Sequence, residues 1–165
     1  MKKNLLILAA FATISSCQIN HQEKEEASAV GSGGWLAGDT NEKFEEVAHQ
    51  LGGFSKTMIE VSYRYSELYW AGMDENWQYA DHQVEHLLEA LEDGLKRRKE
   101  RAASAESFLN EAIPSIEAVI KKEDKEEFLK GFRSLTSACN ACHAKEGESF
   151  IMIKEPEVRT SPVRF

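Results

Sequence analysis

Phe44, Val47, Leu51, Phe54, Met58, Val61, Tyr65 and Leu68 follow one another at intervals of 3, 4, 3, 4, 3, 4 and 3 residues. An α-helix turns once every 3.6 residues, so this alternation keeps one apolar stripe in line over about seven turns. Such a stripe must be buried against another packed element. No part of the chain alternates with period two for long enough to build a sheet. The partners are therefore expected to be helices. Asp39-Thr40-Asn41-Glu42 has the form of a capping box at the start of this helix. Gly52-Gly53 weakens it, at about 1 kcal/mol per glycine, but leaves the stripe in phase, and Gly72 is expected to end it.

Three further stripes follow. Trp77, Ala80, Val84, Leu87, Leu91 and Leu95 mark a second helix over residues 74–101. Phe108, Ala112, Ile116 and Val119 mark a third over 105–122, with Pro114 kinking it or setting a late start. A second capping box, Asp124-Lys-Glu-Glu127, opens a fourth, striped by Phe128, Phe132, Leu135, Cys139 and Cys142, and Gly147 is placed to stop it. The fold expected is all-α: an antiparallel four-helix bundle with an extended C-terminal tail over 148–165 and Cys139, Cys142 and His143 on the last helix.

The first residues, MKKNLLILAAFATISSC, set Lys2 and Lys3 before an apolar run that is too short for a membrane span, as in a secretory signal. Ile14-Ser15-Ser16-Cys17 resembles a bacterial lipobox, in which Cys17 would be lipidated and begin the mature chain, with 1–16 removed as signal peptide. Each buried acyl CH₂ contributes about 0.8 kcal/mol, so several chains would hold the protein on a membrane. Residues 17–38 are polar and then rich in Gly and Ser, a flexible tether reaching on the order of 25 Å, and Trp35 and Leu36 could staple its end to the domain over 39–147. Gln18 in place of an aspartate leans towards the outer membrane, facing the periplasm. With 20 Lys and Arg against 28 Asp and Glu the net charge is −8. An acidic chain is a poor partner for nucleic acid or anionic head groups and suits a basic protein or a small ligand.

Cys139-Asn-Ala-Cys142-His143 carries the chemistry. On a helix the two thiols, at i and i+3, and the imidazole at i+4 share one side. They could address one flat ligand, and C-x-x-C-H is the attachment signature of haem c: Cys139 and Cys142 covalent, His143 on the iron. Zinc would need a fourth ligand, a thioredoxin-like dithiol would need a βαβ unit, and chance occurrence is the third alternative.

The pattern is similar to class II cytochromes c, the cytochrome c-prime and c556 group. It resembles most a group of small bacterial c-type cytochrome-like proteins, through Met58 to Val61, Leu68-Tyr69-Trp70-Ala71-Gly72 with Asn76-Trp77 and Ala80, and Cys139 to His143 with Phe150-Ile151-Met152-Ile153 and Pro156. That resemblance, over residues 40–156, implies one covalent haem and a methionine on the first helix as sixth iron ligand, for which Met58 is the candidate; ordinary packing is the competing role for it. Met152 and Met73 are weaker candidates. His82 and His86, at i and i+4, fall off their stripe and read as a solvated pair; His49 lies beside its stripe, and His21 lies in the tether. Arg64, Arg133 and Lys145 are conceivable propionate partners, and the aromatics Tyr63, Tyr65, Tyr69, Trp70, Trp77 and Tyr79 read as packing at the bundle end.

The expected function is that of a membrane-tethered monohaem electron carrier, alone, as a homodimer, or as the haem subunit of a periplasmic redox complex with an unidentified redox partner protein. A five-coordinate haem protein taking NO or CO is the alternative. Nothing in the sequence points to an enzyme; no distal His/Arg pair of a peroxidase can be placed by spacing.

Overall fold

The structure is a computed structural model that describes residues 29–163. The signal segment, Cys17 and His21 lie outside the described residues. The chain divides between Phe44 and Glu45 into two compact units. In the first, Val30 and Leu36 exchange backbone hydrogen bonds (2.9 and 3.1 Å) around a short 3₁₀ turn at Ser32–Gly34.

Among the described residues every long element is a helix, and no strand forms. The helices are α1 (Thr40–Leu51), α2 (Phe54–Met73), α3 (Trp77–Arg97), α4 (Ala102–Ser107), α5 (Ile113–Ile120) and α6 (Lys125–Lys145). A π-helical turn, Phe108–Ala112, joins α4 to α5 without leaving helical backbone, so residues 102–120 act as one rod. With α2, α3 and α6 this makes four rods, the composition of a helical bundle. No helix of the described residues is long and apolar enough to cross a membrane.

The capping box at Asp39 closes in both directions: the Asp39 amide donates to Glu42 Oε2 (2.8 Å) and the Glu42 amide to Asp39 Oδ1 (2.9 Å). The box at Asp124 closes in one. Its carboxylate takes the Glu127 amide (2.9 Å), while the Glu127 side chain turns to Lys130 (2.7 Å). A cationic partner competes well with a backbone amide for a carboxylate.

Two expectations about the first helix are corrected. It is not continuous: Gly52 takes a φ of 77°, and the chain restarts at Phe54. The stripe is buried only after this break, because Phe44, Val47 and Leu51 are exposed whereas Phe54, Met58 and Val61 pack on the core. Gly72 does not end α2 either. It is the buried penultimate residue of the helix, without the positive φ of a C-cap glycine, and the Phe128 ring lies where its Cβ would stand, so it serves close approach between α2 and α6.

The second helix begins at Trp77, later than expected, because Asn76 caps it by accepting the Tyr79 amide (3.0 Å). Pro114 stands in the first turn of α5, in line with the late start expected of it, and the π turn lies just ahead. Proline has no amide to donate to Asn110 and its ring crowds that carbonyl, and the wider turn relieves both.

The core comprises Leu68, Ala80, Val84, Leu87, Ile116, Phe128, Phe132 and Leu135, each at most 1% exposed, with Tyr65 and Phe108 beside them. Fully burying an aliphatic or aromatic side chain contributes about 1.5–3 kcal/mol. The aromatic residues do most of their packing across helices: Tyr65 and Tyr69 on Phe132 (4.6 and 5.0 Å between ring centroids), and Trp77 on Phe128 (5.8 Å).

Candidate functional site

α6 buries Phe128, Phe132 and Leu135 on one side, and the same side continues into Cys139 and Cys142. Both thiols are half-buried against the core and unbonded to each other. Burial pushes the Cys139 thiol up to about 12, with the neighbouring Cys142 adding to the rise. Cys142 is also raised, first by burial and then by Glu146, while Lys145 and Arg101 act in the opposite sense. Thiols of this kind stay protonated at neutral pH, unlike the acidic, exposed thiols of redox dithiols. Among the described residues no group of three or more His, Cys, Asp and Glu side chains is placed to hold a metal ion.

His143 is held by a closed hydrogen-bond circuit. Gly147, at φ 77°, ends α6 in a Schellman turn: the Gly147 amide donates to Ala144 O (3.2 Å) and the Glu148 amide to His143 O (2.8 Å). The Ile151 amide then donates to Glu148 O (2.8 Å), and Ile151 O lies 2.8 Å from His143 Nδ1. A carbonyl can only accept, so Nδ1 carries a proton and donates it. In the neutral ring this leaves the Nε2 lone pair free for a ligand.

Beyond Ile151 the tail stays on α6. Asn140 pairs with the backbone of Ile153 in both directions, Nδ2 donating to Ile153 O (3.0 Å) and Oδ1 accepting the Ile153 amide (2.8 Å). Tyr65 Oη, 2.7 Å from the Thr136 hydroxyl, also donates to Lys154 O (3.2 Å). Glu148–Val163 is free of helix and strand.

Arg101 is the site residue that sequence reasoning misses. It bonds Glu146 (2.6 Å), at the end of α6, and its guanidinium lies 5.3 Å from the centroid of the Phe54 ring. In the basic run Lys96 to Arg101 nothing in the sequence distinguishes Arg101, which turns to Glu146, from Arg97, which turns to Thr57 (3.0 Å). Cys142 also lines a cavity of about 40 Å³, with Phe108, Ala138 and Lys145 among others. It shares Ser107 and Ala138 with a cavity of about 250 Å³ between the π turn and α6.

The other candidates are scattered. Met58 is half-buried on α2 and packs on the core. Met73 ends α2 with its carbonyl bonded to Lys125 Nζ (2.6 Å), at the opposite end of α6 from the thiols, which lie about 21 and 26 Å along the helix from Lys125 at 1.5 Å per residue. Met152 is 68% exposed. His82 and His86 touch edge to face (4.3 Å), and His86 Nδ1 bonds Glu89 (2.7 Å) on a solvent-facing side of α3. His49 is exposed on α1. Arg64 pairs with Glu60 (2.7 Å), and Arg133 lies 3.9 Å from Glu155; only Lys145 of the three basic candidates lies beside a thiol.

No family model, curated protein or solved structure matches the chain. Its own residues must carry the functional reading. Two thiols at i and i+3 held protonated by burial, and an imidazole at i+4 whose Nε2 lone pair is left open, could hold one thioether-linked haem and suit a thiolate metal site less well.

Proposed function

We propose that the chain is a monohaem c-type cytochrome of the four-helix kind that carries electrons from a lipid tether in the bacterial envelope. The observation that carries this reading is the fixed imidazole: Ile151 O accepts from Nδ1 of His143 on the helix that also presents Cys139 and Cys142. Metal-binding histidines characteristically donate their second nitrogen in this way, which orients the ring and raises its basicity. Cys139 and Cys142 would hold the porphyrin and His143 its iron. The haem would supply one-electron iron chemistry.

The helices are read as an antiparallel bundle. Along α2 and α6, Gly72 meets Phe128, Tyr69 meets Phe132, Tyr65 meets Thr136, and Phe54 reaches Glu146 through Arg101. Each step towards the start of α2 is thus matched by a step towards the end of α6. Continued, this register sets Met58 level with Cys142 and His143, which supports Met58 as the sixth ligand. A thioether there would keep exogenous ligands off the iron and raise its potential, which suits an electron carrier. The lipid on Cys17 and the acidic surface fit a tethered, outer-membrane protein facing the periplasm that meets a basic redox partner.

The test is the optical spectrum of the full chain expressed in a host with a working haem-attachment system. A Soret band that stays with the protein through acid–acetone extraction is expected, with a low-spin six-coordinate ferric form. Colourless protein would overturn the haem reading. A high-spin spectrum with rapid CO binding to the reduced form would replace the carrier by the gas-binding alternative.

A further inference from the structure

The tail after Gly147 lies along a row of α6 that runs beside the thiols and meets their site at His143. Arg133, Thr136, Asn140 and His143, spaced 3, 4 and 3 residues apart, form one helical row. Every member of that row is linked to the tail. Glu155 lies near Arg133 (3.9 Å), Lys154 O is bonded through Tyr65 to Thr136, Ile153 pairs with Asn140, and Ile151 bonds His143. The tail therefore runs back along α6 in fixed register. Further on, Arg159 bonds Asp74 and stacks over Trp70 (5.3 Å) at the far end of α2.

Asn140 is central to this register. A primary amide has a donor and an acceptor side by side, so it reproduces the paired edge of a peptide and can satisfy both backbone groups of one residue. Aspartate has the acceptor without the donor, and alanine has neither. Asn140 is also one of the two residues between the cysteines, where haem attachment itself asks for nothing from the side chain. Ile151, which holds the imidazole, is two residues from the pinned Ile153.

We propose that Asn140 is a positioning residue: it pins Ile153, the pinned strap presents Ile151 O to His143, and the strap thereby fixes the imidazole as the Nδ1–H tautomer, with the Nε2 lone pair left for a ligand. The ligand identity rests on the haem reading; the strap and the tautomer do not. A carbonyl accepting from Nδ1 makes Nε2 a stronger donor, so loosening the strap weakens the axial bond even though no ligand has been removed.

The test compares the full chain with Asn140→Ala and Asn140→Asp by amide hydrogen exchange at Ile153, by ¹⁵N shifts of the His143 ring in haem-free protein, and by the iron–imidazole stretch of the ferrous haem-loaded form. In the parent chain the Ile153 amide is protected and the ring is Nδ1–H. Asn140→Ala should lower Ile153 protection by about tenfold or more, mix the tautomers and lower the stretch frequency; Asn140→Asp, which keeps the acceptor for the Ile153 amide, should fall between. Circular dichroism confirms that each variant keeps its helices, and Asn140→Asp supplies the comparison if the alanine variant unfolds. A parent ring in the Nε2–H tautomer, or protection and tautomer unchanged in both variants, overturns the inference. Protein that takes up no haem but still shows the coupled loss of protection and tautomer sinks the haem reading and leaves the strap standing.

Discussion

Arg101 bonds Glu146 at 2.6 Å one turn beyond Cys142, and the same guanidinium lies against Phe54. One side chain thus ties the segment before α4 to the start of α2 and the end of α6. Its removal exposes Phe54 and leaves a carboxylate beside the thiols.

Arg101→Ala should therefore destabilise the domain by about 1–2 kcal/mol, between the value of an exposed ion pair and that of a buried charged hydrogen bond, because both partners are partly solvated. Urea unfolding followed by circular dichroism checks this. A midpoint equal to that of the parent would mean that the pair is an exposed contact of no consequence.

Gly72→Ala tests the approach of α2 to α6. The added methyl meets the Phe128 ring, which is fully buried and has nowhere to retreat without disturbing Phe132 and Trp77. Overpacking of this kind costs about 1–3 kcal/mol, although alanine is the better helix former by about 1 kcal/mol. A lower thermal midpoint is the expected result, and a higher one would show that propensity wins and that the ring is free to move.

Alkaline pH should unfold the protein through its tyrosines. Burial pushes Tyr65 up to about 12, and burial together with the hydrogen bond to Glu67 does the same for Tyr79. An acid whose pKa is higher folded than unfolded favours the folded state while it stays protonated. That stability is complete below about pH 10, where even the unfolded phenol is neutral, and drains away between about 10 and 12. Unfolding free energies measured across this window should fall steeply. Phenolate absorbance from Tyr65 and Tyr79 of folded protein near pH 10 would contradict the burial argument.

The stripes of α3 and α6 were legible residue by residue, because apolar positions at 3.6-residue spacing leave one solution: Val84, Leu87, Phe128 and Phe132 are all fully buried. Phase alone did not decide whether α1 and α2 were one helix. Gly52 and Gly53 keep the spacing while the backbone turns, and only the burial of Phe54 against the exposure of Leu51 separates the two halves. At the site, the sequence supplied Cys139, Cys142 and His143 through local spacing. Arg101 and Ile151 were hidden, the first among identical charges and the second because it acts through a backbone carbonyl, which has no residue signature.

The thiols give the last prediction. In haem-free chain both are free and half-buried; burial raises both thiols, pushing Cys139 up to about 12, while at Cys142 the cations Lys145 and Arg101 act against the rise. Alkylation needs both thiolate and access, so iodoacetamide at about pH 8 should label Cys142 at least tenfold faster than Cys139. Peptide mapping separates the two sites from Cys17. After haem attachment each sulfur is a thioether with no thiolate to offer, and neither position should label even in denaturant. Free thiol at Cys139 or Cys142 in red, denatured protein would mean that the porphyrin is held by one bond or none, and the assignment of both cysteines to the haem would fail.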